Sequence, residues 1–277
     1  MLCPGLVLFG YDVFMNAELF DTHCHLTFKG LADRAEQVLV EAAGAGVSRV
    51  VTIACTAGDL EPAVTLARRH ERVWVAAGIH PHEAGRTSEE DLARFARAWR
   101  DEDKVVAAGE MGLDYHYDFS PRQVQQDVFA RQLEMVAPTG LPLVIHSRKA
   151  HDDTVRILTE QGFVDKKVVF HCFSGTADEV AELRACGWQV SFTGVITFKN
   201  AGDLRSVCAD TPLDEIMFET DAPYLSPEPI RKKRPNVPAY LIHTVRLAAE
   251  LHGVSFETMA EASTANALRF FALAQNA

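Results

Sequence analysis

Eight short runs of β-branched and aliphatic residues, each followed by a stretch with helical periodicity, make up most of this chain from about residue 18 onward. The runs are ELFDTHCH (18–25), SRVVTIA (48–54), VWVAAGIH (73–80), VVAAGEMG (105–112), LPLVIHS (141–147), KVVFHCF (167–173), WQVSFTG (188–194) and EIMFETD (215–221). Strands buried on both faces of a parallel sheet read this way. Amphipathic helices are predicted at 31–46, 59–70, 88–102, 121–137, 151–162 and 176–187, with a weaker one at 200–210 and two more after the last strand. Ser88 is placed to cap the amides after it, and Glu89, Glu90 and Asp91 put acids where the helix dipole favours them. Pro121 after Ser120 marks another helix start, and Gly46, Gly162 and Gly187 close three helices. Strict alternation over this length predicts a single-domain (β/α)8 TIM barrel at 17–277, with an open doubly wound sheet as the alternative.

The first sixteen residues stand apart. MLCPGLVLFGYDVF carries an apolar patch without a basic region or small-residue cleavage site, so it does not read as a secretory signal. It is expected to be a weakly packed N-terminal extension, with Met15 as the functional start. No apolar run approaches the roughly 20 residues that span a bilayer. Lys plus Arg number 27 against 38 Asp plus Glu, a net charge of −11, which argues against holding nucleic acid by bulk charge neutralisation. The six cysteines, at 3, 24, 55, 172, 186 and 208, form no CxxC pair and read as reduced, cytoplasmic thiols.

The chemistry lies in what ends each strand. Run one ends in Asp21-Thr22-His23-Cys24-His25, where alternation puts Asp21, His23 and His25 on one face and Thr22 and Cys24 on the other. Run four ends in Glu110, run five in His146, run six in His171 and run eight in Asp221. Any one of them alone is better explained as a satisfied core histidine or a turn acid. In a barrel, however, all six converge on the C-terminal mouth, the face that carries active sites. Mixed imidazole and carboxylate donors without paired thiolates favour catalytic divalent ions over a structural zinc. Six ligands exceed what one open ion needs, which points to two ions bridged by a carboxylate. By the same parity Cys24 and Cys172 are expected to be packing residues.

In this order and spacing, DTHCHL, GIHPH, GEMGLDY, IHSR, HCFSG and ETDAPYL resemble the TatD family of metal-dependent deoxyribonucleases, a branch of the amidohydrolase-like barrels. The likeness runs from about Leu19 to the final helices and includes RPNVPAY; Pro138 is atypical but away from the mouth. The resemblance implies a two-metal hydrolase acting on phosphodiesters, typically a DNA exonuclease, with Mg, Mn or Zn as cofactor and single-stranded DNA or 3′ ends as substrate. It implies His23, His25, Glu110, His146, His171 and Asp221 as ligands. Glu110 would bridge, with His23, His25 and Asp221 on one ion and His146 and His171 on the other. Related barrels use a carboxylated lysine for the bridge; here Lys104 stands only at the start of run four, and Glu110 at its mouth end.

Two cations would reconcile the −11 charge with an anionic substrate by neutralising phosphate oxygens locally. Asp221 is expected to orient the attacking water and take its proton, with Glu110 and His80 completing the catalytic set. The resemblance implies that His80 faces substrate and donates to a phosphate oxygen or the leaving group, while His82 is expected to be structural. Asp21 is expected behind His23 and His25, fixing an imidazole tautomer, and Glu219 behind Asp221. Arg148 and Arg234, the latter in the run Arg231-Lys232-Lys233-Arg234, are the candidate phosphate contacts. His70, His116, His151, His243 and His252 are assigned no chemistry. Alternative readings are a metal-dependent hydrolase of amide, lactone or aminoacyl-ester bonds, and a non-catalytic metal or nucleic-acid binder. No membrane association or obligate protein partner is expected.

Overall fold

The computed structural model describes residues 17–274; the expectation for residues 1–16 lies outside them. Eight parallel strands follow one another around the sheet in sequence order. They are β1 (Leu19–Cys24), β2 (Val47–Ala54), β3 (Val73–Ala77), β4 (Val105–Asp114), β5 (Leu143–Arg148), β6 (Val168–Phe170), β7 (Gln189–Phe192) and β8 (Met217–Phe218). Past the ends of β1 and β8 the ring closes: His25 N–H donates to Ala222 O at 2.7 Å and Asp221 N–H to His23 O at 2.9 Å. Sequential order with closure excludes the open doubly wound sheet and gives the (β/α)8 barrel.

The helices are α1 (Ala35–Gly44), α2 (Ala57–Arg69), α3 (Glu89–Asp101), α4 (Arg122–Val136), α5 (His151–Glu160), α6 (Ala177–Ala185), α7 (Gly202–Asp210), α8 (Leu241–His252) and α9 (Phe256–Phe270). Ser88 does cap α3, in a reciprocal box with Asp91. Ser120 does not cap α4; its hydroxyl instead takes the Gly85 N–H at 2.9 Å and donates to His82 O at 3.0 Å, tying the loop after β3 to the loop after β4. Gly46, Gly162 and Gly187 all have positive φ after their helices.

The core has two layers. The larger packs the outer strand faces against the helices; the smaller fills the barrel with Phe20, Val51, Ile53, Trp74, Val144, Val169 and Met217 and is plugged by Leu268, Phe270 and Phe271 from the end of α9. Lys104 lies at that plugged end, its ammonium donating to the carbonyls of His70, Glu71 and Val73 at 2.8, 2.9 and 3.1 Å.

Strand alternation fails in β1. Asp21 pairs with Val50 and Cys24 with Thr52, so three steps along β1 match two along β2. This bulge shifts the pleat. Phe20 joins the inner layer, and Thr22, expected to face outward, donates from Oγ1 to Glu219 Oε2 at 3.3 Å. Asp21 is the residue turned away: its carboxylate takes the Thr220 N–H at 2.9 Å, the Thr220 hydroxyl at 2.6 Å and the His23 N–H at 3.3 Å. It touches no imidazole in these bonds, so its expected role as a tautomer anchor is corrected to a backbone brace between β1 and the end of β8.

Candidate metal centre

The local backbone that brings the site residues together depends on glycine in β4. Gly112 has φ +140°, and a Cβ there would run into the carbonyl oxygen of His146. Glycine lets β4 and β5 approach closely where Glu110, Asp114 and His146 meet.

All six expected ligands converge, and Glu110 stands between two groups. Its Oε2 faces His23 Nε2 at 3.3 Å and His25 Nε2 at 3.9 Å. Its Oε1 faces His146 Nδ1 and His171 Nε2, both at 2.7 Å. Asp221 Oδ1 completes the first group, 3.2 Å from His25 Nε2 and 3.7 Å from His23 Nε2. The His23 and His171 rings stack directly on each other, 6° from parallel with centroids at 3.9 Å, each presenting its Nε2 to one oxygen of the carboxylate.

The donor set fits divalent cations. His23 and His25 bring their Nε2 atoms to 3.2 Å from each other. The triads His23–His25–Asp221 and His23–Glu110–His171 each hold their ligand atoms within 4.8 Å of one another. Burial keeps His23 below the ordinary histidine value and so neutral, and its Nδ1 is buried with no hydrogen-bond partner. Burial would raise Glu110, but the surrounding imidazoles, His171 foremost, hold it well below the usual carboxylate range. Asp221 is likewise lowered against its burial by the bond to His25. Ionised carboxylates and imidazole nitrogens aimed at common points, the imidazoles giving up any proton on binding, are what such an ion needs.

Further side chains hold this set in place. Glu219, expected behind Asp221, serves His171 instead: Oε1 is 3.3 Å from His171 Nδ1 and takes the Cys172 N–H at 2.6 Å, while Oε2 takes the Ser191 hydroxyl at 2.7 Å. Asp114 does the same for His146, with Oδ2 at 3.2 Å from Nε2. That oxygen also meets His82 Nε2 at 2.9 Å, so His82, expected to be structural, braces the carboxylate beside His146.

His80 reaches the centre, with Nε2 3.2 Å from Glu110 Oε1. Its Nδ1 accepts the His82 N–H at 3.1 Å, which leaves Nε2 as the protonated nitrogen. Burial pushes its pKa down to about 4, so it is a neutral donor. Cys24 faces away, its Sγ 3.7 Å from Val51 O, and Cys172 Sγ lies 3.5 Å from Thr193 Oγ1. Cys55 joins the site without having been expected there. Its Sγ lies 3.8 Å from His25 Nδ1 and 3.9 Å from Glu110 Oε2. Parity would have found it, since Val51 and Ile53 face the barrel interior and Cys55 continues the same row.

Arg148 is at the mouth, its guanidinium 4.8 Å from the Tyr117 ring centre. It lines a cleft of about 790 Å³ together with Lys149, His171 and Ser174. Arg234 is exposed on the segment after Asp221, two residues before Asn236, whose amide donates back to Thr220 O at 2.9 Å.

A family model described as TatD related DNase matches residues 20–272. The chain is 38% identical over 253 residues to the uncharacterized metal-dependent hydrolase YabD of Bacillus subtilis (strain 168), covering 91% of this chain and 98% of that one. It is 35% identical over 259 residues to the 3′-5′ ssDNA/RNA exonuclease TatD of Cronobacter sakazakii (strain ATCC BAA-894), covering 91% and 97%. Among solved structures, that of YjjV, a TatD homologue from Escherichia coli K12, matches with a TM-score of 0.88 at 30% identity, over 94% of this chain and 100% of that one.

Proposed function

Since the chain belongs to the TatD related DNase family of metal-dependent hydrolases, we propose that it hydrolyses phosphodiester bonds, shortening single-stranded nucleic acid from its 3′ end. The relative named as a 3′-5′ ssDNA/RNA exonuclease supports the substrate and polarity. The single observation that carries the reading is the division of Glu110, one oxygen facing His23 and His25 and the other facing His146 and His171.

In this reading His23, His25 and Asp221 would hold one divalent ion, His146 and His171 a second, and Glu110 both. Such ions supply a lowered pKa for water and positive charge beside the phosphate oxygens. Asp221, ionised and at the edge of the cluster, orients the attacking water and takes its proton. His80 presents an Nε2–H toward the same space, and its neutral state suits it to hydrogen-bond a phosphate oxygen rather than to protonate a leaving group. Arg148 and Arg234 contact phosphates farther along the strand. No helix among the described residues is long and apolar enough to cross a membrane. The described cysteines are free, which supports a reducing compartment such as the cytoplasm.

The test uses oligonucleotides labelled at either end, with Mg, Mn or Zn supplied in turn. A ladder that shortens from the 3′ end while the 5′ label is retained is the expected result. Turnover of simple amides, lactones or aminoacyl esters with intact oligonucleotides would move the assignment to those bonds.

A further inference from the structure

Large apolar side chains are seldom left in water on several neighbouring loops without a partner. Among the described residues, the large hydrophobic side chains left exposed are Phe28, Val40, Tyr117, Phe119, Val164 and Tyr224. The four aromatic ones all stand on loops that leave the C-terminal ends of strands: Phe28 after β1, Tyr117 and Phe119 after β4, and Tyr224 after β8. They form two pairs. Phe28 and Tyr224 have ring centres 5.9 Å apart, and Tyr224 is 6.0 Å from the His25 ring. Tyr117 and Phe119 are stacked, 5.3 Å apart and 11° from parallel, with centres 5.5 and 4.7 Å from the His82 ring.

The pairs sit at opposite ends of the metal-ligand cluster. His25 belongs to the group around Glu110 Oε2, whereas His82 is joined through Asp114 to His146, in the group around Oε1. Arg148 lies over the Tyr117 ring at 4.8 Å, which steadies that pair and sets a positive charge beside it. Phe119 is 68% exposed and offers a face that nothing within the described residues covers fully.

We propose that these pairs are nucleobase platforms: Tyr117–Phe119 and Phe28–Tyr224 stack bases of the same strand on either side of the scissile phosphate, and so select single-stranded substrate. The inference rests on the phosphodiesterase reading and specifies how that site recognises its substrate. Every base has a π-face, so the platforms tolerate any sequence. A base inside a duplex has both faces covered by its neighbours and presents none to a platform. Stacking also gives a strongly acidic chain a means of holding nucleic acid that does not depend on a basic surface.

The experiment uses single-stranded oligonucleotides with 2-aminopurine placed at successive positions from the 3′ end, added to the metal-loaded enzyme and to Phe119→Ala, Tyr117→Ala, Tyr224→Ala and Phe28→Ala. Metal content and thermal unfolding report whether each variant is intact. In wild type, 2-aminopurine fluorescence is quenched near the 3′ end, and a blunt duplex of the same sequence competes more weakly. Each alanine variant relieves quenching at the position its platform serves. It raises KM about 5- to 150-fold, the equivalent of losing one base–aromatic stack, with kcat changing far less. Phe119→Trp restores both. Alanine variants that quench and cleave as wild type does would overturn the inference while leaving the phosphodiesterase reading intact. Quenching with no cleavage by wild type would overturn the nuclease reading and sustain the platforms.

Discussion

Asp114 Oδ2 lies 3.2 Å from His146 Nε2, on the ring edge opposite the nitrogen that faces Glu110 at 2.7 Å. The same carboxylate meets His82 through Oδ2, and through Oδ1 takes the N–H groups of His116 and Tyr117, both at 2.9 Å. His146 is therefore oriented by a group that is itself fixed from several sides. Asp114→Asn is expected to weaken divalent-metal affinity by about 10- to 100-fold, as losses of such supporting groups do. Titration of metal-stripped protein checks this, and affinity equal to wild type would remove Asp114 from the account.

Asp221→Asn should keep much of the metal affinity, because His23, His25 and Glu110 still face one another. It should lower turnover about 10²- to 10⁴-fold, the usual contribution of a positioned base. Steady-state rates at confirmed metal occupancy decide it, and near-wild-type turnover would exclude Asp221 as the proton acceptor.

Metal binding should compete with protons. Burial acts to lower His25, His146 and His171, yet all three sit above the ordinary histidine value. Asp221 outweighs burial at His25, Asp114 and Glu110 at His146, and Glu110 with Glu219 at His171. In the metal-free protein these raised values contribute stability below the unfolded pKa, and it is lost as pH rises through the folded values. A cation must displace those protons, so its affinity is expected to fall as pH is lowered. Calorimetry in buffers of different ionisation enthalpy should show net proton release that grows as pH is lowered; zero release at every pH would contradict the raised values at His25, His146 and His171 in the metal-free site.

Gly112→Ala places a Cβ against the His146 carbonyl at a backbone angle that side chains rarely adopt. A loss of at least about 1–3 kcal/mol is expected, read by denaturant unfolding of the metal-free protein. An unchanged midpoint would show that β4 and β5 can separate without cost.

The barrel and the six converging side chains were legible because each strand announces itself as an aliphatic run and each expected ligand is an imidazole or carboxylate at the C-terminal end of one. What was not legible depended on pleat and reach. Asp21 and Thr22 exchanged faces because β1 bulges against β2, and nothing in DTHCH signals an extra residue. Glu219 shares a strand end with Asp221 but serves His171, since its partner is set by a neighbouring strand rather than by its own. Asp114 gave no signal of its own although it lies in the GEMGLDY motif; β4 continues through Asp114, so the row Glu110, Gly112, Asp114 stays on one face of the strand past the expected mouth. Cys55 follows the end of β2 and His80 the end of β3; parity points Cys55 inward, but a thiol there reads as packing until the neighbouring imidazole is located.

Metal analysis of wild type beside Glu110→Gln tests the central claim most directly. If Glu110 joins two ion sites, reconstituted wild type holds about two divalent ions per chain, and removing one carboxylate oxygen weakens retention in both halves together. A wild-type ratio that saturates at one ion, or a Glu110→Gln protein that keeps the full complement at wild-type affinity, would contradict a shared dinuclear centre.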